Sequence, residues 1–305
     1  MSTISVVHPA ETAVSGAQAM SAALKPNVAP RIGEMLVAAG RMTEAQVSRV
    51  LELQRTEDAR FGAIAIKLGY ITKDHVDEVL ARQYGSVSEN DLSNSKLPAK
   101  IVTAYKRVLP FSESIRALRS QLLLRWFDGT PGQSTLAITS VDRGDGKSFV
   151  AANLGIVFSQ LGEQTLLIDA DMRHPTQHET FGIKNPMGLS GVLSGRAGPD
   201  EIRSIAGLPG LSVLPAGPLP PNPQELLGRP EFGRLLNEMS SVFDVIIVDT
   251  PSAQEASDAH VISQRARAAL IVGRKNKTRS QEISQLSSIL KSSGISVLGA
   301  TLNEY

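Results

Sequence analysis

Two hydrophobic periods divide the chain. From about residue 101 onward, short runs that are apolar on consecutive positions alternate with longer amphipathic stretches. The runs Leu136–Thr139, Thr165–Asp169, Leu211–Leu214, Val245–Asp249, Ala269–Gly273 and Val297–Leu302 predict strands. Several are apolar on both side-chain faces, as strands covered on both sides of a parallel sheet must be. Glu113–Trp126 and Gln281–Ser292 read as helices between them. The alternation predicts an α/β fold, a doubly wound and mainly parallel sheet spanning residues 101–305.

Before it the period changes to that of a helix, and the pattern occurs twice. Residues 31–54 read RIGEMLVAAGRMTEAQVSRVLELQ and residues 60–83 read RFGAIAIKLGYITKDHVDEVLARQ, two units of 24 residues whose starts lie 29 apart. Ile32, Met35, Leu36 and Ala39 fall at i, i+3, i+4, i+7, and Phe61, Ile64, Ala65 and Leu68 repeat them, so each unit presents one apolar helical stripe. Gly40 and Gly69 follow, where a left-handed helix C-cap is wanted. Thr43 and Thr72 then predict the N-caps of second helices, Gln46 completing a capping box. The chain thus predicts a tail (1–29), a helical domain of two tandem helix-pair repeats (30–86), a Ser/Asn/Asp-rich linker (87–100) and the sheet domain (101–305).

Composition narrows the chemistry. There are 305 residues, and 31 Lys+Arg against 30 Asp+Glu leave a net charge of +1, which removes the electrostatic case for a nucleic-acid binder. Cysteine is absent, excluding disulfides, thiolate metal sites and cysteine nucleophiles. No apolar run approaches the ~20 residues of a membrane span, and no secretion signal is visible, so a soluble cytoplasmic protein is expected.

The strand LAIT leads into SVDRGDGKS (140–148) and then a helical pattern, the context of a phosphate-binding loop. Gly144 and Gly146 let backbone N–H groups curl round an anion at a helix N-terminus. Lys147 would reach the β- and γ-phosphates and Ser148 would ligate Mg²⁺. Val141 stands where GxxxxGK[ST] has its first glycine, so a solvated turn is the alternative for this segment alone. Two further strands end in acids, TLLIDADMRHP in Asp169 and Asp171, with Arg173 following, and FDVIIVDTPS in Asp249. Strand C-termini are where such sheets bind ligands, and three acids converging there call for a cation. Strand-end capping is the alternative for any one of them.

Residues from about Phe111 to the C-terminus resemble the bacterial tyrosine kinases of the exopolysaccharide chain-length-determinant family. The motifs are ESIRALR, the P-loop, LLIDADMRHP, GLSGVLSG, LSVLPAGPLPPNPQELL, FDVIIVDTPS and VLGATLN. The resemblance implies an ATP- and Mg²⁺-dependent protein-tyrosine autokinase. Gly144, Asp145, Gly146, Lys147, Ser148, Phe149, Arg173 and Asp249 would bind nucleotide, with Ser148, Asp171 and Asp249 serving the metal. Lys147, Asp169 and Asp171 would be catalytic, Asp169 as base toward a tyrosine hydroxyl. Glu113, Arg116 and Arg119 would join subunits of a homo-oligomer, although a solvated charged helix face is the plainer reading. The family's tail tyrosine cluster is missing, leaving Tyr305 as the acceptor candidate within the chain, with another protein as the alternative substrate. A membrane chain-length-determinant protein is the implied partner, recruiting the kinase to the inner membrane.

The repeat unit resembles the N-terminal domain of type II secretion and type IV pilus ATPases, some of which bind cyclic di-GMP. That resemblance implies ligand contacts from Arg31, Gly33, Gly40 and Gln54 and from Arg60, Gly62, Gly69 and Gln83. A docking module built from the same helices is the alternative there. For the whole chain, the alternatives are a non-kinase P-loop ATPase switch or a cyclic di-GMP adaptor.

Overall fold

A computed structural model describes residues 36–37, 40–54, 61–72, 101, 110–184 and 186–304. The expected tail and linker therefore lie outside the described residues, as do Arg31, Gly33, Arg60, Gln83 and Tyr305.

In the first unit, helices α1 (Glu44–Gln54) and α2 (Phe61–Lys67) belong to successive repeats. Gly40 and Gly69 both adopt positive φ, +65° and +71°, at the predicted helix ends. Arg41 N–H returns to the Leu36 carbonyl and Tyr70 N–H to that of Ala65, closing each C-cap. The capping box also forms: Thr43 N–H donates to Gln46 Oε1 (2.8 Å) and Gln46 N–H to Thr43 Oγ1 (3.3 Å). Leu36, Met42, Val50, Phe61, Ile64, Ala65 and Ile71 bury together. Leu68, placed in the buried stripe by its spacing, is 37% exposed. Met42 and Ile71, one repeat apart and two residues past the capping glycines, fill the core instead.

The larger unit opens with α3 (Pro110–Arg125) and continues β1 (Thr135–Ser140), α4 (Lys147–Ser159), β2 (Thr165–Asp169), α5 (Gln177–Thr180), α6 (Gly188–Leu193), β3 (Arg203–Ser204) and β4 (Leu211–Leu214). It then runs α7 (Pro223–Gly228), α8 (Pro230–Met239), β5 (Val245–Asp249), α9 (Asp258–Ala266), β6 (Ala268–Arg274), α10 (Ser280–Ser292) and β7 (Ser296–Asn303). All six predicted strands form, within a residue at either end. The addition is β3, two residues long and antiparallel to β4 at the sheet edge, too short to leave a hydrophobic pattern.

Strand order is β3-β4-β2-β5-β1-β6-β7, parallel throughout apart from β3. Leu136 and Ile138 of β1 face one layer, where α4 packs with Leu154, Ile156 and Phe158. Ala137 faces the opposite layer, with Leu226, Phe232 and Ile262 from α7, α8 and α9. Both faces are thus buried, which is why the strands read as continuous apolar runs. Each fully buried Leu, Ile or Phe contributes roughly 1.5–3 kcal/mol. β1 lies inside the sheet between β5 and β6, so its C-terminal end faces the crevice such sheets use for ligands. Among the described residues no helix is long and apolar enough to cross a membrane.

The segment leading from β4 into PLPPNP (218–223) is fastened to α6. Leu189 and Ser190 N–H donate to the Pro215 and Ala216 carbonyls, and Ser190 Oγ donates to Pro218 O. The approach is close because Gly188 and Gly217 both have positive φ, and a Cβ on Gly217 would collide with the Met187 carbonyl. Gly217→Ala should therefore cost at least about 2 kcal/mol, lowering the melting midpoint by several degrees. An unchanged midpoint in calorimetry would contradict the close approach.

Candidate nucleotide and phosphoryl-transfer site

The site is assembled where β1, β2 and β5 end. Strand register makes Asp169 and Asp249 direct neighbours across β2 and β5, and both are fully buried. Two carboxylates in that position repel unless something positive stands between them. Lys147, the first residue of α4, supplies the charge. Its Nζ lies 3.3 Å from Asp171 Oδ2, and only 7% of the residue is exposed. Burial alone would lower the pKa of this ammonium, but Asp249, Asp171 and Asp169 outweigh burial and raise it. Lys147 is held protonated.

The acids respond in kind. Burial, reinforced by Asp249, pushes the Asp169 carboxyl well above the usual range, with the Gln177 and Thr176 N–H groups pulling against it. Burial likewise raises Asp249 to about 6, against the pull of Lys147, the Gln177 amide and the Ser148 hydroxyl. One Asp249 oxygen, Oδ1, is buried without a hydrogen-bond partner.

The loop before Lys147 is braced from three sides. Gly144 and Gly146 take φ of +86° and +93°, the conformation their lack of Cβ permits. Asp145 turns its buried side chain inward, with Oδ2 accepting Asp142 N–H (3.0 Å) and Oδ1 accepting the Thr278 hydroxyl (2.9 Å). Lys277 Nζ donates to the Arg143 carbonyl at 3.2 Å. At the loop's start, Ala253 and Gln254 N–H donate to the Ser140 and Val141 carbonyls, stitching the segment after β5 to the residue that replaces the first P-loop glycine.

The remaining site candidates divide. Asp169 spends both oxygens on backbone, Oδ1 on Asp171 N–H and Oδ2 on Thr176 and Gln177 N–H, so it folds the 170–177 loop. That differs from the expected base facing a substrate. Asp171 accepts His174 N–H besides pairing with Lys147. Arg173 pairs with buried Asp258 of α9 at 3.0 Å, joining the β2 loop to the segment after β5. Phe149 stacks on Phe111 of α3 with ring centroids 5.0 Å apart, which leaves its backbone as the part available to a phosphate. Glu113 and Arg116 pair with each other on the α3 surface, whereas Arg119 donates to the Val157 carbonyl (2.7 Å) and ties α3 to α4. Lys277, Thr278 and Gln177 were not identified from the sequence. Nothing in the residue spacing ties them to the P-loop.

A separate cavity of about 570 Å³ opens between α9 and α10, lined by Val261, Leu286 and Ile289 among others. No Lys or Arg lines it, so it lacks the charge a phosphate needs.

With this geometry in view, likeness to known proteins is decisive. Tyrosine-protein kinase YwqD of Bacillus subtilis is 34% identical over 192 residues, covering 63% of this chain and 80% of YwqD. The chain belongs to the bacterial tyrosine-protein kinase family. CapB of Staphylococcus aureus is 34% identical over 194 residues, 63% of this chain and 84% of CapB. Wzc of Salmonella typhimurium is 37% identical over 194 residues, which amount to 26% of Wzc. Among solved structures, the chimerical protein CapA2B2 superposes with a TM-score of 0.62 at 31% identity, covering 71% of this chain and 98% of that one. The kinase domain of Escherichia coli ETK gives 0.58 at 32%, covering 63% and 74%. No family model matches the chain. The kinase is thus an enzyme of protein-tyrosine phosphorylation with a P-loop fold.

The raised Asp249 pKa carries a signed consequence. In the unfolded chain an aspartate titrates near about 3.9, so between pH 4 and 6 the folded protein holds the extra proton and its stability falls as pH rises. Asn imitates the protonated acid. In nucleotide-free protein with chelator, Asp249→Asn should melt near the parent's midpoint at pH 4. By pH 7 it should be more stable by about 2–3 kcal/mol. A gap that does not widen with pH would contradict the buried-charge assignment.

Proposed function

We propose that the kinase transfers the γ-phosphoryl of ATP to protein tyrosine at the ends of β1, β2 and β5. Lys147 among the strand-end acids Asp169, Asp171 and Asp249 is the single observation that supports this most. Phosphoryl transfer asks for positioning and charge neutralisation above all, and the site offers both. The N–H groups of Gly144, Asp145, Gly146, Lys147, Ser148 and Phe149 would receive the phosphates at the start of α4.

The donor set suits Mg²⁺, since Asp249 Oδ1 is a buried hard oxygen with no hydrogen-bond partner and the Ser148 hydroxyl belongs to the same loop and helix start. Among the described residues no three acids or histidines form a metal cage, so Ser148, Asp171 and Asp249 would serve an ion that arrives with nucleotide. Bound there, Mg²⁺ would neutralise charge on the β- and γ-phosphate oxygens.

Without nucleotide, Lys147 is held by Asp171. A phosphate competes for the same ammonium, and when Lys147 turns to it Asp171 Oδ2 is released. With Asp169 committed to backbone N–H groups, the released Asp171 is the better placed acceptor for a tyrosine proton, and Asp169 holds the loop that carries it. Tyr305 is the acceptor candidate within this chain. The strand before it ends beside the P-loop, where the Asn303 amide lies 3.4 Å from the Asp145 carbonyl and Glu304 pairs with Lys275.

In the cell this activity would regulate exopolysaccharide chain length, polymerisation and export. A membrane chain-length-determinant protein would act as activating partner at the inner membrane, and Glu113 and Arg116 would contribute to a homo-oligomer. The family membership supports this reading, together with the likeness to CapA2B2. The two-repeat unit would be a second input, taking cyclic di-GMP through the residues named from its repeat. The repetition of Arg, Gly and Gln at equivalent positions of the two units is what supports that part.

Purified protein with ATP and Mg²⁺, probed for phosphotyrosine and mapped by mass spectrometry, tests the reading. Lys147→Met should lower the signal at least about 100-fold, and Tyr305→Phe should remove phosphate from the chain itself. ATP hydrolysis without phosphotyrosine, even with the partner's cytoplasmic segment added, would favour a nucleotide switch instead. For the second input, calorimetry should show cyclic di-GMP heat that is lost in Arg31→Ala and Arg60→Ala. No heat at ligand on the order of 100 µM would leave only a docking role.

A further inference from the structure

Gln177 is fully buried at the start of α5, and no sequence motif gives its side chain a part. It nevertheless touches three parts of the site. Its backbone N–H donates to Asp169 Oδ2 (3.0 Å). Its side-chain Nε2 donates to Asp249 Oδ2 (2.8 Å) and to the Ser148 carbonyl (3.0 Å). One residue thereby bridges the β2 loop, the end of β5 and the first turn of α4.

The chemistry fixes the direction of this bridge. An amide NH₂ has two hydrogens, and here both are used on acceptors. Turning the amide over would set its oxygen against a carboxylate and a carbonyl, two acceptors, so only one orientation is tolerable. A carboxylate can rotate about its terminal torsion, and a short donor on one oxygen arrests that rotation. With Oδ2 arrested, Asp249 Oδ1 stands as the oxygen without a hydrogen-bond partner.

We propose that Gln177 is a positioning residue for phosphoryl transfer, holding the Asp249 carboxylate so that Oδ1 stays available to the divalent ion accompanying the nucleotide. The inference rests on the reading of Asp249 as a metal-serving acid. It goes further by giving that acid its orienting partner. Partners of this kind, one shell out from an ion, are worth roughly 10- to 100-fold in metal affinity. A plain loop staple would predict something else: loss of folding or of all nucleotide binding, with no selective effect on Mg²⁺.

The experiment uses the full chain and Gln177→Met, which keeps the length of the side chain and removes the donor. ADP affinity is measured by calorimetry with Mg²⁺ and with EDTA, and phosphotyrosine formation is followed across Mg²⁺ concentration at saturating ATP. In EDTA the variant should bind ADP within about twofold of the parent, while the tightening due to Mg²⁺ falls roughly tenfold and half-saturating Mg²⁺ rises by a similar factor. A folded Gln177→Met with the parent's Mg²⁺ response overturns the proposal. If that variant does not fold, Gln177→Asn, whose amide is one methylene short of bridging both acceptors, is read in the same way, and a parental Mg²⁺ response overturns the proposal equally. Failure of the parent to bind ADP would remove the underlying site reading as well, so the two failures are distinguishable.

Discussion

A single ammonium, buried among three strand-end carboxylates, governs this molecule's active end. Asp169 and Asp249 are placed side by side by the pairing of β2 with β5, and Asp171 follows two residues on. Burying like charges together is costly unless a cation joins them and hydrogen bonds satisfy what remains. Lys147 is that cation, and the N–H groups of the 170–177 loop provide most of the hydrogen bonds. The arrangement is satisfied enough to fold and strained enough to welcome further positive charge, since two of its carboxyls remain reluctant to ionise. Such a balance suits a site that must exchange an internal partner for a phosphate and a metal.

The same constraint reaches into parts of the sheet that carry no chemistry. The glycine-bearing loop has little packing of its own, and its shape is imposed by Asp145 acting from inside and by Thr278 and Lys277 acting from the turn after β6. The segment after β5 holds the other end through Ala253 and Gln254. Val141 in place of a glycine is buried, and its carbonyl accepts Gln254 N–H. Loop, β5 segment and the β6–α10 turn thus form one mechanical unit, and the path beyond β7 adjoins it.

Much of this could be read from residue order. Continuous apolar runs fixed the six long strands to within a residue, because strands covered on both faces admit no polar alternation. Glycine at equivalent repeat positions and Thr43 with Gln46 foretold helix caps, since these are local chemistry. The phosphate loop and strand-end acids were legible because a parallel sheet brings strand C-termini together whatever the intervening sequence. What escaped depends on contacts between distant segments. Gln177 looks like any polar residue opening a short helix, and its importance arises only when β2 and β5 pair. Thr278 and Lys277 lie over 130 residues from the loop they brace. Asp169 carries the same motif whether it faces a substrate or backbone N–H groups. Leu68 kept the stripe's spacing yet lost its place to Ile71, because the turn after Gly69 folds back onto the core.

The decisive measurement is a structure of the protein with Mg²⁺ and a non-hydrolysable ATP analogue. The terminal phosphate should lie within hydrogen-bond reach of Lys147 Nζ, with the Lys147–Asp171 contact broken. Triphosphate seated in the cavity between α9 and α10, or Lys147 still paired to Asp171 with phosphate elsewhere, would contradict it.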